Sequence, residues 1–201
     1  MNELLRSLAP RGNYSFHIDQ SHRSRVKIFA PHGGCIEPCT EPIALAIAME
    51  RHDYFVFSGK RTRGCYATLH VTSARYDEPR CLQMAQESEV ALALHGCDEA
   101  DEVVFVGGGN KSLVQDLIAY LANIGFPAKR APAGMAGEDE RNFINHARQK
   151  GIQLELSSGF RRSLFPGFPK SSQRNATLFT RFVESIRAWI ELIDQQFASH
   201  S

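Results

Sequence analysis

The chain has 201 residues, 43% of them hydrophobic and 22% charged, a size and composition that suit one globular domain with its own core. Its formal net charge of +1 argues against binding nucleic acid through bulk electrostatics, so any polyanion it handles must meet a local basic patch. No stretch of about 18 apolar residues occurs, so no membrane partner is expected.

Residues 1–24 read as a polar N-terminal extension, with Glu3 near the start and no apolar core of a signal peptide, which leads to the expectation of a cytoplasmic protein. Residues 26–30 form an apolar strand that runs into Pro31-His32-Gly33-Gly34-Cys35-Ile36-Glu37. Thr40 is then placed as an N-cap, Pro42 sits in the first turn, and Ile43, Ala44, Ile47 and Ala48 repeat at helical spacing up to Arg51. Residues 54–58 and 67–71 read as strands around the basic turn Gly59-Lys60-Arg61-Thr62-Arg63-Gly64. Asp77-Glu78-Pro79 opens a helix to about Glu87, and strand 90–94 ends in His95-Gly96. Strand 103–106 leads to Gly107-Gly108-Gly109, and an amphipathic helix over 112–124 is closed by Gly125. Residues 152–156 are the last strand, and the Pro-, Gly- and Ser-rich segment 163–172 reads as a surface loop that Phe165 and Phe168 could fold onto the body. Leu178, Phe179, Phe182, Ile186, Trp189, Ile190, Ile193 and Phe197 trace one face of a C-terminal helix, 173–198, expected to pack on the body. This alternation predicts one α/β domain over 1–201, a three-layer sandwich around a mixed, mostly parallel sheet.

Two of these strands deliver histidine at their ends, where open α/β sheets gather reactive groups. His32 and Glu37 share a glycine-containing loop, and His95 approaches from another strand. Two imidazoles and a carboxylate make a catalytic zinc set, three protein ligands that leave a fourth position for water. Hydrolysis also needs a carboxylate to take a proton from that water and pass it to the leaving nitrogen. Glu155, a single acid within the apolar strand 152–156, is the candidate; strand alternation equally allows it to face solvent in a salt bridge. The His-Gly-Gly run also occurs in oxyanion loops of serine hydrolases, but the chain has no Gly-x-Ser-x-Gly elbow.

The ordered elements His32-Gly33-Gly34 with Glu37, Leu69-His70-Val71-Thr72-Ser73 before Asp77-Glu78-Pro79, His95-Gly96, Asn142 and Asn145, and Gln153-Leu154-Glu155-Leu156-Ser157 with Arg161 resemble the phage-type poly-γ-glutamate hydrolases. That family is similar in fold to zinc carboxypeptidases, and some members are labelled phage-related replication proteins. The resemblance spans roughly residues 28–162. It implies a zinc-dependent hydrolase of γ-glutamyl amide bonds, with zinc held by His32, Glu37 and His95 and with Glu155 in the place of the carboxypeptidase general base. A γ-glutamyl polymer or peptide is then the expected partner, and a monomer the expected state. A zinc amidase acting on cell-wall peptide or another acylated amino acid is the neighbouring alternative. Two departures bear on substrate fit rather than on the ligands: Cys39 stands where glycine is usual, and Arg75-Tyr76 replaces a His-Phe pair.

Because each unit of such a polymer carries a carboxylate, arginine forks along a groove are expected. Arg161 and Arg162 follow Glu155 closely, and Lys60, Arg61 and Arg63 cluster on a turn, although both groups also read as solvated surface charge. Asn142 and Asn145, spaced i, i+3, suit either a substrate carboxylate or carbonyl, or helix capping. His70 reads as a packed histidine that at most supports the site. From another class, Gly107-Gly108-Gly109-Asn110-Lys111-Ser112 suggests a phosphate- or nucleotide-binding module for phage replication. A P-loop needs glycine directly before Lys-Ser, where Asn110 stands. The odd set Cys35, Cys39, Cys65, Cys81 and Cys97 argues against a secreted disulfide framework and for a reducing compartment. Cys35, Cys39 and His32 suggest a structural zinc knot without an evident fourth partner.

Overall fold

Apolar runs such as Val-Ala-Leu-Ala-Leu before His95 are what a strand covered on both faces requires, and they form the middle of the sheet. The computed structural model describes residues 12–169 and 173–198. In it β1 (Tyr14–Asp19), β2 (Val26–Gly34), β3 (Tyr54–Gly59), β4 (Val90–Cys97), β5 (Val104–Gly108), β6 (Ala128–Arg130) and β7 (Ile152–Ser157) form one sheet in the order β1-β3-β2-β4-β7-β5-β6. The β1–β3 and β5–β7 pairs are antiparallel and the others parallel, the mixed, mostly parallel sheet expected from the sequence.

Helices α1 (Thr40–Ala48), α2 (Cys65–Leu69), α3 (Pro79–Glu87), α4 (Lys111–Asn123), α5 (Ser158–Leu164) and α6 (Ala176–Ala198) cover the two faces. On one face Ile28, Leu92 and Leu154 pack with Ile43 of α1, Leu117 of α4 and Trp189 of α6. Trp189 is fully buried, and its indole N–H donates to Asp116 Oδ2 at 2.7 Å, fastening α6 to α4. On the other face Phe29, Ala91 and Ala93 pack with Leu69 of α2, Met84 of α3 and Phe143. This second layer is thinner and leaves the carboxyl ends of β2, β4 and β7 open.

Four expectations change. Residues 67–71 do not form a strand: α2 starts after Gly64 and ends at Leu69. No hairpin is possible there because both edges of β3 are taken, one by β2 and the other by β1, which comes from the stretch read as a polar extension. Thr40 begins α1 instead of capping it; Cys39 holds the cap position at φ 74°, and the Thr40 hydroxyl donates to Glu37 O at 2.8 Å. Residues 163 and 164 belong to α5 and Phe165 is fully buried, so the predicted loop is shorter, and its residues 170–172 lie outside the described ones. Finally, Cys35 and Cys65, 30 positions apart, are joined in a disulfide, while Cys39, Cys81 and Cys97 are free. The bridge links the loop after β2 to the start of α2 and withdraws Cys35 from any zinc knot. Among the described residues no helix is long and apolar enough to cross a membrane.

Candidate metal centre

The site is assembled by strand periodicity and one irregularity. In β4, Ala91, Ala93 and His95 point to the second face, and in β7 Gln153 and Glu155 do the same, with His95 and Glu155 opposite in register. In β2 the pairing slips between Ala30 and Gly33, and the extra residue returns His32 to the side of Phe29. Gly34, at φ 64°, then runs so close to β3 that a Cβ would lie 2.1 Å from Gly59 O. The turn closes as Glu37 N donates to His32 O at 2.8 Å, which brings the carboxylate back to the imidazole.

His32 Nδ1 lies 2.9 Å from Glu37 Oε1 and 3.1 Å from His95 Nδ1, and His95 Nδ1 lies 3.5 Å from Glu37 Oε2. His32 Nε2 is 2.8 Å from Val71 O. A carbonyl only accepts, so Nε2 carries a proton, and burial, which pushes the ring below its ordinary pKa, makes Nδ1, the nitrogen shared with Glu37, the one that gives up its proton to a metal. His95 Nε2 is engaged by Ser73 Oγ at 3.4 Å, again leaving Nδ1 inward. Donors held roughly 2.0–2.1 Å from a tetrahedral centre are spaced about 3.3–3.4 Å apart. The three separations, two of them measured to different oxygens of Glu37, straddle that spacing, and the donor set is one zinc accepts.

His70 lies close by. Its Nε2 is 3.6 Å from Glu37 Oε1, and its ring stacks between His32, 4.2 Å away, and Tyr66, 4.3 Å away. His32, Glu37 and His70 also place donor atoms within 4.8 Å of one another, so two triads share His32 and Glu37.

Electrostatics follow from burial. Desolvation would raise the Glu37 carboxyl, but the charge and hydrogen bond of His32, then His70 and His95, hold it well below the usual range. His95 is pushed down by burial and, more strongly in sum, up by Glu155 and Glu37, ending above its ordinary value. Burial raises Glu155; His95 opposes this and Glu37 adds to it.

These groups lie in a cavity of about 1080 Å³, also lined by Tyr66, Arg130, Asn142, Gln153, Arg161 and the segment 133–139. Arg161 is among the residues that line it. The side chain is 2% exposed, and its guanidinium is held by three carbonyls rather than a carboxylate: Nη1 donates to Pro38 O and Nη2 to Cys97 O, each at 2.9 Å, and Nε to Ser157 O at 3.4 Å. Arg61 is not among the lining residues. Its Nε donates to Arg63 O, and the turn it occupies leads into α2, whose Tyr66, with His70 just beyond the helix, reaches the cavity instead. Asn142 lines the cavity, yet Nδ2 donates to Gln153 Oε1 at 3.1 Å and Oδ1 accepts from Ile144 N at 3.3 Å. Asn145 stands outside it, accepting from Gly109 N and donating to Gly137 O and Asp139 O. The glycine turn offers no phosphate cradle, because the amides of Gly108, Gly109 and Asn110 donate to Ala136 O, Asn145 Oδ1 and Gly151 O. Gln153, Tyr66 and Arg130 were not singled out from sequence; period-two spacing from Glu155 would have found the first.

The sequence profile of the poly-gamma-glutamate hydrolase family matches residues 1–185. The chain belongs to the poly-gamma-glutamate hydrolase family. Within Bacillus subtilis strain 168 it is similar to UPF0714 protein YndL, with 37% identity over 164 residues, 80% of this chain and 64% of YndL. It is also similar to SPbeta prophage-derived UPF0714 protein YoqZ, with 30% identity over 174 residues, 85% of this chain and 62% of YoqZ. This poly-gamma-glutamate hydrolase family member thus spans less than two-thirds of either relative. Among solved structures it resembles zinc-free apo YndL, with TM-score 0.84 and 31% identity over 93% of this chain and 94% of that one. A bacteriophage poly-gamma-glutamate hydrolase shares the fold at TM-score 0.86 and 24% identity, covering 98% of this chain and 96% of that one.

Proposed function

We propose that this family member hydrolyses the γ-glutamyl amide bonds of poly-γ-glutamate, with zinc held by His32, Glu37 and His95 and with Glu155 as general base. The observation that carries the reading is the convergence of these three side chains, with the two imidazole Nδ1 atoms 3.1 Å apart and the two Glu37 oxygens 2.9 Å and 3.5 Å from one imidazole each, in one cavity with Glu155 opposite His95. The zinc-free form of YndL, as a relative, supports the choice of metal. His95 is preferred to His70 as third ligand because its Nδ1 lies 3.1 Å from His32 Nδ1 and it sits on a paired strand, which holds geometry better than the segment after a five-residue helix. His70, between Tyr66 and His32, braces the rim.

Zinc in such a set is a Lewis acid that activates water and polarises an amide carbonyl. Glu155 takes the proton of the attacking water at a carboxylate oxygen and passes it to the leaving nitrogen. Arg161, which lines the cavity and keeps a second N–H on each of Nη1 and Nη2 beyond those given to Pro38 O and Cys97 O, pairs with a carboxylate of the polymer. The test is to incubate the protein with poly-γ-glutamate, with zinc or with a chelator, and to follow polymer length by size-exclusion chromatography. Zinc-dependent shortening that Glu155→Gln reduces to a small residual rate is expected; polymer left intact by the zinc-loaded protein would overturn the reading.

A further inference from the structure

We infer that Gln153 is a positioning residue for the general base, fixing which oxygen of Glu155 receives the proton; this rests on the reading of Glu155 given above. Period-two spacing on β7 puts both side chains on the cavity face. Gln153 Nε2 donates to Glu155 Oε1 and to Met135 O, each at 3.0 Å, and Gln153 Oε1 accepts from Asn142 Nδ2 at 3.1 Å. Asn142, Gln153 and Glu155 are 4%, 4% and 8% exposed, so these bonds are made away from bulk water and have no ready substitute.

The direction of the chain is determined at each link. Asn142 Oδ1 accepts from the backbone amide of Ile144, so Nδ2 must face Gln153. A Gln153 amide turned over would set its oxygen against Met135 O and Glu155 Oε1 and its nitrogen against Asn142 Nδ2, mismatching every contact. Donors therefore run from the Ile144 N–H through Asn142 and Gln153 to Glu155 Oε1, leaving Oε2 as the oxygen free to take a proton. Gly137 permits the wall that closes over this chain. At φ 64° it lies so near that a Cβ would be 2.3 Å from Gln153 Oε1.

The test is a double-mutant cycle on the zinc-loaded protein with poly-γ-glutamate as substrate, with bound zinc measured for each variant. Gln153→Met keeps the length and removes both donors; it is expected to lower kcat by about tenfold to a hundredfold, with KM and bound zinc changed by less than about twofold. In the Glu155→Gln background the same substitution should change the residual kcat by less than about twofold, since the group it positions is gone. Equal losses in both backgrounds would make Gln153 merely structural and overturn the inference. Asn142→Asp is the second variant. It keeps the acceptor for Ile144 N but sets an oxygen in place of the donor to Gln153 Oε1, which loosens the Gln153 amide, and it should show the same dependence on Glu155 even where Gln153→Met fails to fold. Full activity of Glu155→Gln would remove the general base and this inference with it. Full activity of Gln153→Met beside an inactive Glu155→Gln would remove the positioning role alone.

Discussion

Replacing Gly96 by alanine moves Arg161 without touching it. Gly96 follows His95 on β4 and lies against the guanidinium, so an added Cβ would be 2.6 Å from both Cζ and Nη1 of Arg161. Ordinary contact begins near 3.4 Å, and the fork must retreat by about 0.8 Å in a close-packed wall. An exposed arginine would swing aside at little cost. This one is buried and pinned by Pro38 O, Cys97 O and Ser157 O, so the displacement strains or breaks its short bonds. Each hydrogen bond from a charged donor contributes about 1.5–3 kcal/mol, so loss of the two short ones destabilises the protein by roughly 3–6 kcal/mol at most. Misplacing a binding group by about 1 Å costs about a hundredfold in rate. We therefore expect kcat/KM on poly-γ-glutamate to fall by about 30- to 100-fold, mainly through KM, with bound zinc unchanged. Steady-state hydrolysis, zinc titration and a crystal structure of the variant form the assay. A displaced guanidinium with kcat/KM within about twofold of the parent would refute a substrate role for Arg161.

Cys39→Gly should raise unfolding stability by about 0.5–1 kcal/mol in urea titrations, because φ 74° strains every residue but glycine; a loss of stability would contradict this. Breaking the Cys35–Cys65 bridge by Cys65→Ser reopens a 30-residue span and should lower the stability of the zinc-free protein by about 3.5 kcal/mol, with a difference below about 1 kcal/mol arguing against the bridge. In zinc-free protein the Glu37 carboxyl lies well below its ordinary 4.5: burial works against this, and His32 outweighs it. A depressed carboxyl stabilises the fold above its unfolded pKa, and that contribution is lost as pH falls through the folded value. The difference in thermal midpoint between the parent and Glu37→Gln should accordingly shrink below pH 4.5, and a difference that grows on acidification would contradict the sign.

What was legible in the sequence is what local periodicity encodes. The apolar runs of β2, β4 and β7 and the residues at their ends were readable, because period two assigns His95 and Glu155 to one face and a parallel sheet gathers them at one edge. The C-terminal helix was readable from its apolar stripe. Two of the misreadings are nonlocal, whereas the cap of α1 and the end of α5 are local shifts of one or two residues. Whether residues 67–71 pair as a strand depends on the free edge of β3, which β1 occupies, and β1 itself, with no fully buried residue, carries a weak apolar signal. The Cys35–Cys65 bridge depends on where α2 lands. Cys39, noted as standing where glycine is usual, finds its explanation in backbone conformation: the cap of α1 is left-handed there. Asn142 and Asn145 drew notice through their spacing, yet one reaches Gln153 and the other ties down a loop, a division only coordinates reveal.

The central claim is that two imidazoles and a carboxylate from two strand ends share one zinc. Crystals grown with zinc and measured on both sides of the zinc absorption edge test it directly. A single anomalous peak is expected roughly 2.0–2.2 Å from His32 Nδ1, a Glu37 carboxylate oxygen and His95 Nδ1. A peak held by His32, Glu37 and His70 with His95 left aside, or no peak in the cavity, would contradict the account.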